Sequence, residues 1–266
     1  MSSGSFRNIR LTIEYDGTQF SGWQRQPQVR TVQGALEERL KLVCGHPVDL
    51  LVAGRTDAGV HALGQTANFL TKSTMPVERI QMVLNRLLSH DIRIVNVQQA
   101  PPHFHSTYHA LGKLYRYVIR NSKDYTVFDR NTHHHIRIPL DLKLMRKAAS
   151  YLVGTHDFSS FRGTLGKKAD PKRTLHKIKI TKKGRDVWLE YHGHSFLHQM
   201  VRILSGTLVY AGLRKIKPET IPVILKAKDR MKAGPTLPPT GLFLVKVYYP
   251  KTFLPIQRRR TKREEE

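Results

Sequence analysis

The sequence predicts an α+β fold made of two similar halves, each with the element order β-α-β-β-α-β of a split βαβ, ferredoxin-like unit. Three observations lead there. Alternating apolar runs flank helical apolar stripes, the same element order recurs in both halves, and Pro101-Pro102 interrupts the pattern between them. The boundaries follow: residues 1–105 form the first half and 106–250 the second. Residues 251–266 form a charged tail, a basic run followed by three glutamates, that is expected to be disordered.

In the first half, Ile9, Leu11, Ile13 and Tyr15 recur at period two and stop at Asp16-Gly17, a strand running into a turn. Thr31 caps a helix striped by Val32, Leu36, Leu40 and Val43 and closed by Gly45. Short buried strands follow over 50–53 and 66–70. Pro76 fits the first turn of a helix that carries Val77, Ile80, Leu84, Leu87 and Leu88 on one side. Residues 91–97 close the unit as a strand. The second half opens with a long strand over 108–120, with Tyr115, Tyr117 and Ile119 on one face and Arg116, Val118 and Arg120 on the other. Leu142, Met145, Ala149 and Leu152 stripe a helix that ends at Gly154. A hairpin turning through Lys182-Lys183-Gly184-Arg185 joins strands over 176–180 and 186–191. A helix over 196–213, a shorter one over 219–228 and a strand over 242–249 complete the order.

Composition narrows the function. The chain has 266 residues, 45 Lys and Arg against 20 Asp and Glu, and a formal charge of +25. The excess is uneven: residues 1–105 hold 11 basic and 8 acidic side chains, and the rest hold 34 and 12. Residues 162–185 alone carry ten Lys and Arg and one acid, Asp170. Such asymmetry points to a polyanionic partner, nucleic acid before an anionic membrane, because no segment joins this charge to a strong apolar face. Cys44 is the only cysteine, which excludes an internal disulfide framework and a cysteine-based metal cluster and suits a reducing compartment. No window of about 20 residues is apolar enough to span a membrane, and the opening residues lack the apolar core of a secretory signal. A soluble, cytoplasmic protein is expected.

Several residues stand out. Ala53-Gly54-Arg55-Thr56-Asp57-Ala58-Gly59-Val60-His61-Ala62 follows a buried strand, so two glycines turn the chain and present Arg55 and Asp57 at a strand end. Asp57 is either a turn residue accepting backbone N–H bonds or a chemical group; no second carboxylate stands near it to form an acid/base pair. Arg202 interrupts the apolar run of Leu197, Met200, Val201, Leu204 and Leu208, and must either reach water or meet an acid such as Asp57. Tyr115-Arg116-Tyr117 on a strand can stack bases on one face and reach a phosphate from the other, although Tyr117 reads better as packing. Neither His192, His194 and His198 nor His133-His134-His135 has a zinc spacing. Residues 163–168 lack the leading glycine and trailing Ser or Thr of a P-loop, and no dinucleotide fingerprint is present.

Taken in series, Ile13-Glu14-Tyr15-Asp16-Gly17, Gly22-Trp23-Gln24-Arg25-Gln26, Gly54-Arg55-Thr56-Asp57-Ala58-Gly59-Val60-His61, Tyr115-Arg116-Tyr117 and Met200-Val201-Arg202 closely resemble the tRNA pseudouridine synthase A family over nearly the whole chain. The resemblance implies two ferredoxin-like halves joined into one mixed sheet, with helices on one face and a central cleft. It implies an isomerase, a homodimer without cofactor or metal, that converts uridine to pseudouridine at positions 38 to 40 of the tRNA anticodon stem-loop. It places the catalytic aspartate at Asp57, the active-site tyrosine at Tyr115, the aspartate's partner at Arg202 and a nucleotide-flipping arginine at Arg55. Contacts to RNA are expected from Arg25, Lys167, Lys168, Lys172 and Arg173. Two other classes compete: a non-catalytic RNA-binding protein in which Asp57 is a turn residue, and a histidine-metal hydrolase.

Overall fold

A computed structural model describes residues 6–164 and 170–253, so the charged tail falls almost wholly outside the described residues. The first half runs β1 (Arg7–Tyr15), α1 (Val32–Cys44), β2 (Leu51–Val52), β3 (His61–Thr71), α2 (Val77–Leu87) and β4 (Ile92–Ala100). The second runs β5 (Gly112–Asn121), β6 (His134–Ile136), α3 (Leu142–Ser150), β7 (Gly154–Asp157), β8 (Lys172–Lys183), β9 (Asp186–Gly193), α4 (Met200–Gly212), α5 (Ile221–Ala227) and β10 (Leu242–Tyr248).

The period-two pattern of β1 buries Ile9, Leu11, Ile13 and Tyr15, and register sets Ile9 opposite Phe69 and Leu11 opposite Ala67 of β3. The Thr31 hydroxyl accepts the Gly34 N–H to cap α1, and Gly45 ends that helix at φ 75°. The strands form one ten-stranded sheet in the order β4-β1-β3-β10-β5-β9-β8-β7, with β2 on β3 and β6 on β5. Each half therefore has its fourth strand beside its first and its first beside its third, the expected split βαβ order. The halves join where β10 runs parallel to β3, Phe243 opposite His61 and Leu244 opposite Ala62, while its other edge pairs antiparallel with β5. No helix among the described residues is long and apolar enough to cross a membrane.

Several boundaries depart from the expectation: β3 and β8 start at His61 and Lys172, ahead of the expected 66 and 176, and three further departures have a physical reason. The strand expected over 50–53 shrinks to two paired residues, because β2 and β10 share one edge of β3. The strand expected from residue 108 starts at Gly112. Before it, the crossing chain is bound to the sheet: Asn8 donates to the Phe104 carbonyl at 2.8 Å, and Asn68 accepts the Ser106 N–H at 2.9 Å. The helix expected from residue 196 starts at Met200, because Gln199 adopts φ 57°, left-handed backbone that a side chain seldom takes. The short strands β6 and β7 had no signal, and the hairpin turns on Gly184-Arg185 alone.

Helix α4 packs on the segment before β10 without room for a side chain at Gly206, where a Cβ would stand 1.9 Å from the Pro235 carbonyl oxygen. The Thr207 hydroxyl accepts the Gly234 N–H at 2.9 Å in the same contact. Gly206→Ala should therefore force the two segments apart at a cost of about 1–3 kcal/mol, seen as a fall of several degrees in thermal midpoint. An unshifted melting curve would show that the contact yields freely.

Candidate active site

The Asp57 loop is anchored to the core on both sides. Ala53 donates to the Thr66 carbonyl at 2.9 Å, Trp23 to the Thr56 carbonyl at 3.0 Å and Gly59 to the Phe20 carbonyl at 3.2 Å. Inside the loop, the buried Tyr15 and Thr56 hydroxyls share a hydrogen bond of 2.7 Å, and Gln65 donates to the Gly54 carbonyl at 2.8 Å. Gly22 sits at φ 90° with its Cα against this loop; a Cβ there would lie 2.8 Å from the Thr56 carbonyl oxygen. The Gly22-Trp23 string thus holds the turn that carries Asp57. At the loop's far end, the ring of the buried His61 stacks on Phe243 at 4.7 Å. Burial lowers its pKa, so the ring is neutral: Nδ1 accepts the Gly17 N–H at 3.0 Å and Nε2 donates to the Thr240 carbonyl at 3.2 Å.

Arg202 meets the acid. Its Nη1 donates to Asp57 Oδ2 at 3.3 Å, and its Nε donates to the Leu237 carbonyl at 2.7 Å. The two side chains are 13% and 28% exposed, so the pair is neither dry nor freely solvated. The second carboxylate oxygen, Oδ1, lies 3.6 Å from Nε2 of His198. Tyr115 stands beside them on β5, edge-to-face with Phe196 at 5.0 Å. Its hydroxyl is pushed well above the usual tyrosine range, first by burial and then by the neighbouring Tyr15 and Asp57, so it stays protonated at neutral pH. Asp57, His198, Tyr115 and Phe196, together with Arg55, Lys113, Leu197, Met200 and Leu242, line a cleft of about 320 Å³; Arg202 is outside this lining and reaches it through Asp57. Arg55 is exposed there and makes no hydrogen bond or ion pair among the described residues.

The cleft thus brings together Asp57, Tyr115 and Arg55, with Arg202 joined to them by its bond to Asp57. Arg25 is elsewhere, paired with Glu37 at 3.0 Å in a separate hollow beside α1. Lys172 is exposed at the start of β8, and Arg173 is close enough to Lys113 to lower its pKa. Lys167 and Lys168 lie outside the described residues. Tyr117 is fully buried, its hydroxyl donating to the Pro238 carbonyl at 2.7 Å. Arg116 turns to the opposite face, where it binds Glu190 at 2.8 Å and lies 3.9 Å over Trp188. Among the described residues no three His, Cys, Asp or Glu side chains are placed to hold a metal ion. Sequence reasoning missed His198 as a neighbour of Asp57 and missed Lys113 altogether; the signal for Lys113 was its place two residues before Tyr115, on the same strand face.

A family model described as tRNA pseudouridine synthase matches residues 11–109 and 148–250. The chain is 45% identical over 243 residues to the tRNA pseudouridine synthase A of Acetivibrio thermocellus, covering 91% of this chain and 100% of that protein. It is equally similar, 45% over 243 residues with the same coverage, to the tRNA pseudouridine synthase A of Thermoanaerobacter pseudethanolicus. With tRNA pseudouridine synthase A 2 of Clostridium tetani it shares 43% over 245 residues, 91% of this chain and 99% of that one.

The buried bond between Tyr15 and Thr56 is the innermost anchor of the Asp57 loop. Tyr15→Phe should leave the Thr56 hydroxyl unpaired and cost about 1–3 kcal/mol, read as a lower midpoint in thermal or urea unfolding. Wild-type stability would mean that the loop is held by its backbone bonds alone.

Proposed function

Because the chain belongs to the tRNA pseudouridine synthase family, isomerases that convert uridine to pseudouridine in tRNA, we propose that Asp57 is the group that acts on the target nucleotide and that the target lies in the anticodon stem-loop, at positions 38 to 40. One observation carries the assignment: the carboxylate faces a cleft while one of its oxygens is held by Arg202 at 3.3 Å. The resemblance in sequence adds a homodimer that works in the cytoplasm without a cofactor.

The isomerisation breaks the C1′–N1 bond, turns the uracil and joins C1′ to C5; C5 loses a proton and N1 gains one, so nothing is oxidised or hydrolysed. The base must first leave the stack. An ionised carboxylate then attacks C1′ or takes the proton from C2′, and both courses use a single acid. Arg202 aims Asp57. Tyr115, a protonated phenol beside an aromatic ring, packs the flipped uracil and offers a hydroxyl to its edge. Arg55, exposed at the rim, fills the space the base leaves. The basic run supplies affinity: along β8 it holds Lys172, Arg173, Lys177, Lys179 and Lys182.

Asp57→Asn should bind tRNA as the wild type does and lower turnover by more than about 10³-fold, since a carboxamide has the shape of the acid but neither its charge nor its basicity. Arg202→Met should keep the helix packed and cost about 100-fold or more through loss of aim, with Arg202→Lys intermediate. Pseudouridine mapped in tRNA after incubation reads all three. An active Asp57→Asn protein, with contamination excluded, overturns the assignment.

Binding should also be steep in salt. Changing Lys172, Lys177, Lys179 and Lys182 to Gln should flatten the plot of log K against log salt by about 0.7–0.9 for each phosphate that is no longer neutralised. An unchanged slope would make this run a solvated face.

A further inference from the structure

The cleft holds more positive charge than its acid can balance. Asp57 already has Arg202, and His198 stands at its other oxygen. Lys113 and Arg55 also line the cleft, and neither makes a hydrogen bond or ion pair with any described residue. Lys113 shares its strand face with Tyr115 and reaches over the start of the Asp57 loop. A Cβ at Gly54 would stand 2.7 Å from its Nζ, so the missing side chain at Gly54 makes the hollow in which the ammonium rests. A second cation lies two strands over: Lys113 of β5 pairs with Gly193 of β9, Gly193 with Leu175 of β8, and Arg173 is two residues before Leu175. Arg173 Nη1 donates to the Asp170 and Lys172 carbonyls at 2.6 and 2.7 Å, while its buried Nε has no partner among the described residues.

Burial, and after it the Arg173 guanidinium, lower the Lys113 pKa to about 8. A half-buried ammonium beside a like charge is costly; it is relieved by loss of its proton or by an incoming anion, and at neutral pH, below that pKa, the charge is still present for an anion to meet. In an RNA strand near neutral pH the uracil and ribose are uncharged; the anions are the backbone phosphates. A uracil carbonyl could accept a hydrogen bond from Lys113 but would leave the charge uncompensated.

We propose that Lys113, backed by Arg173, forms a phosphate subsite that grips a backbone phosphate next to the target uridine and so holds the flipped nucleotide over Asp57. This rests on the function proposed above and extends it from the base to the strand. The subsite is built from β5, β8 and the turn before Asp57, so a phosphate seated in it is fixed relative to the carboxylate. Arg55, on the other side of Gly54, stays available to the space left by the base. Lys113 is a binding and positioning residue; it takes no part in bond making.

The test pairs protein and RNA changes. RNAs carrying a neutral methylphosphonate at the phosphate 5′ or 3′ of the target uridine are compared with unmodified RNA, using wild type, Lys113→Met and Lys113→Arg. Lys113→Met should lower kcat/KM on unmodified RNA by about 10- to 100-fold, the range of one charge-assisted contact, and Lys113→Arg should recover most of it. One of the two methylphosphonates should cost the wild type a similar factor yet cost Lys113→Met less than about twofold. Equal costs of both methylphosphonates in the two proteins would overturn the subsite, as would a Lys113→Met protein with wild-type kcat/KM. If Lys113→Met fails to fold, Gly54→Ala, which displaces the ammonium without removing it, enters the same comparison with the same criteria. The same pattern read in Kd alone reports the subsite if the wild type makes no pseudouridine, so a failure of the proposed reaction is told apart from a failure of the phosphate contact.

Discussion

The ion pair between Asp57 and Arg202 is the constraint on which the rest of the site depends, because its members come from different halves of the sheet. Asp57 belongs to the turn before β3, Arg202 to the first turn of α4. A separation of 3.3 Å requires that the halves hold their positions to a fraction of an ångström, and among the described residues the only ladder joining them is the contact of β10 with β3. That contact has two residue pairs, too few to be rigid by itself. It is reinforced by groups from the same strings that carry Asp57 and Arg202. His61, four residues after Asp57, stacks on Phe243 and bonds Thr240; Arg202 bonds the Leu237 carbonyl with the nitrogen that does not face Asp57. The residues proposed to act and the residues that lock the junction are neighbours in sequence, so a distortion of one reaches the other.

This arrangement explains which parts of the molecule could be read from the sequence. Strand β1 and helices α1 and α2 were plain in the alternation of Ile9 to Tyr15 and in the stripes from Val32 and Ile80, since local burial patterns report local structure. The truncation of β2 was not, because it follows from competition with a strand some 190 residues later for one edge of β3. The start of α4 was misplaced because Phe196 and Leu197 are as apolar as the helix behind them; their burial comes from roofing the cleft, and only the left-handed backbone of Gln199 separates the two roles.

The site divides in the same way. Arg202 announced itself as a charge within an apolar run, and the shortage of acids left few partners. Asp57 stood out through its glycine-flanked turn and through the resemblance. Lys113 gave no such sign, because a lysine beside a glycine at the start of a strand is what a solvent-facing edge also looks like. What distinguishes it is depth, created by Gly54 from another part of the chain. His198 was visible only as one of many histidines, and its approach to Asp57 depends on the turn at Gln199.

Charge and shape are divided between the halves with a mechanical consequence. The first half, nearly neutral, supplies the acid and a loop fixed by buried hydroxyl and amide bonds. The second half carries most of the positive excess and supplies Arg202 and Lys113 to the surroundings of that acid. A polyanion is thus drawn first to the second half, and the carboxylate is reached only where Lys113 and Arg202 have already offset its repulsion of phosphate. With Asp57 a little over a quarter exposed, the cleft stays wet before a strand enters, which spares the free protein the full cost of desolvating four charges. The strand that enters displaces that water, and each cation then acts through a medium of lower polarity than before. On the proposed reading, the electrostatic grip on the nucleotide is therefore strongest once it is seated.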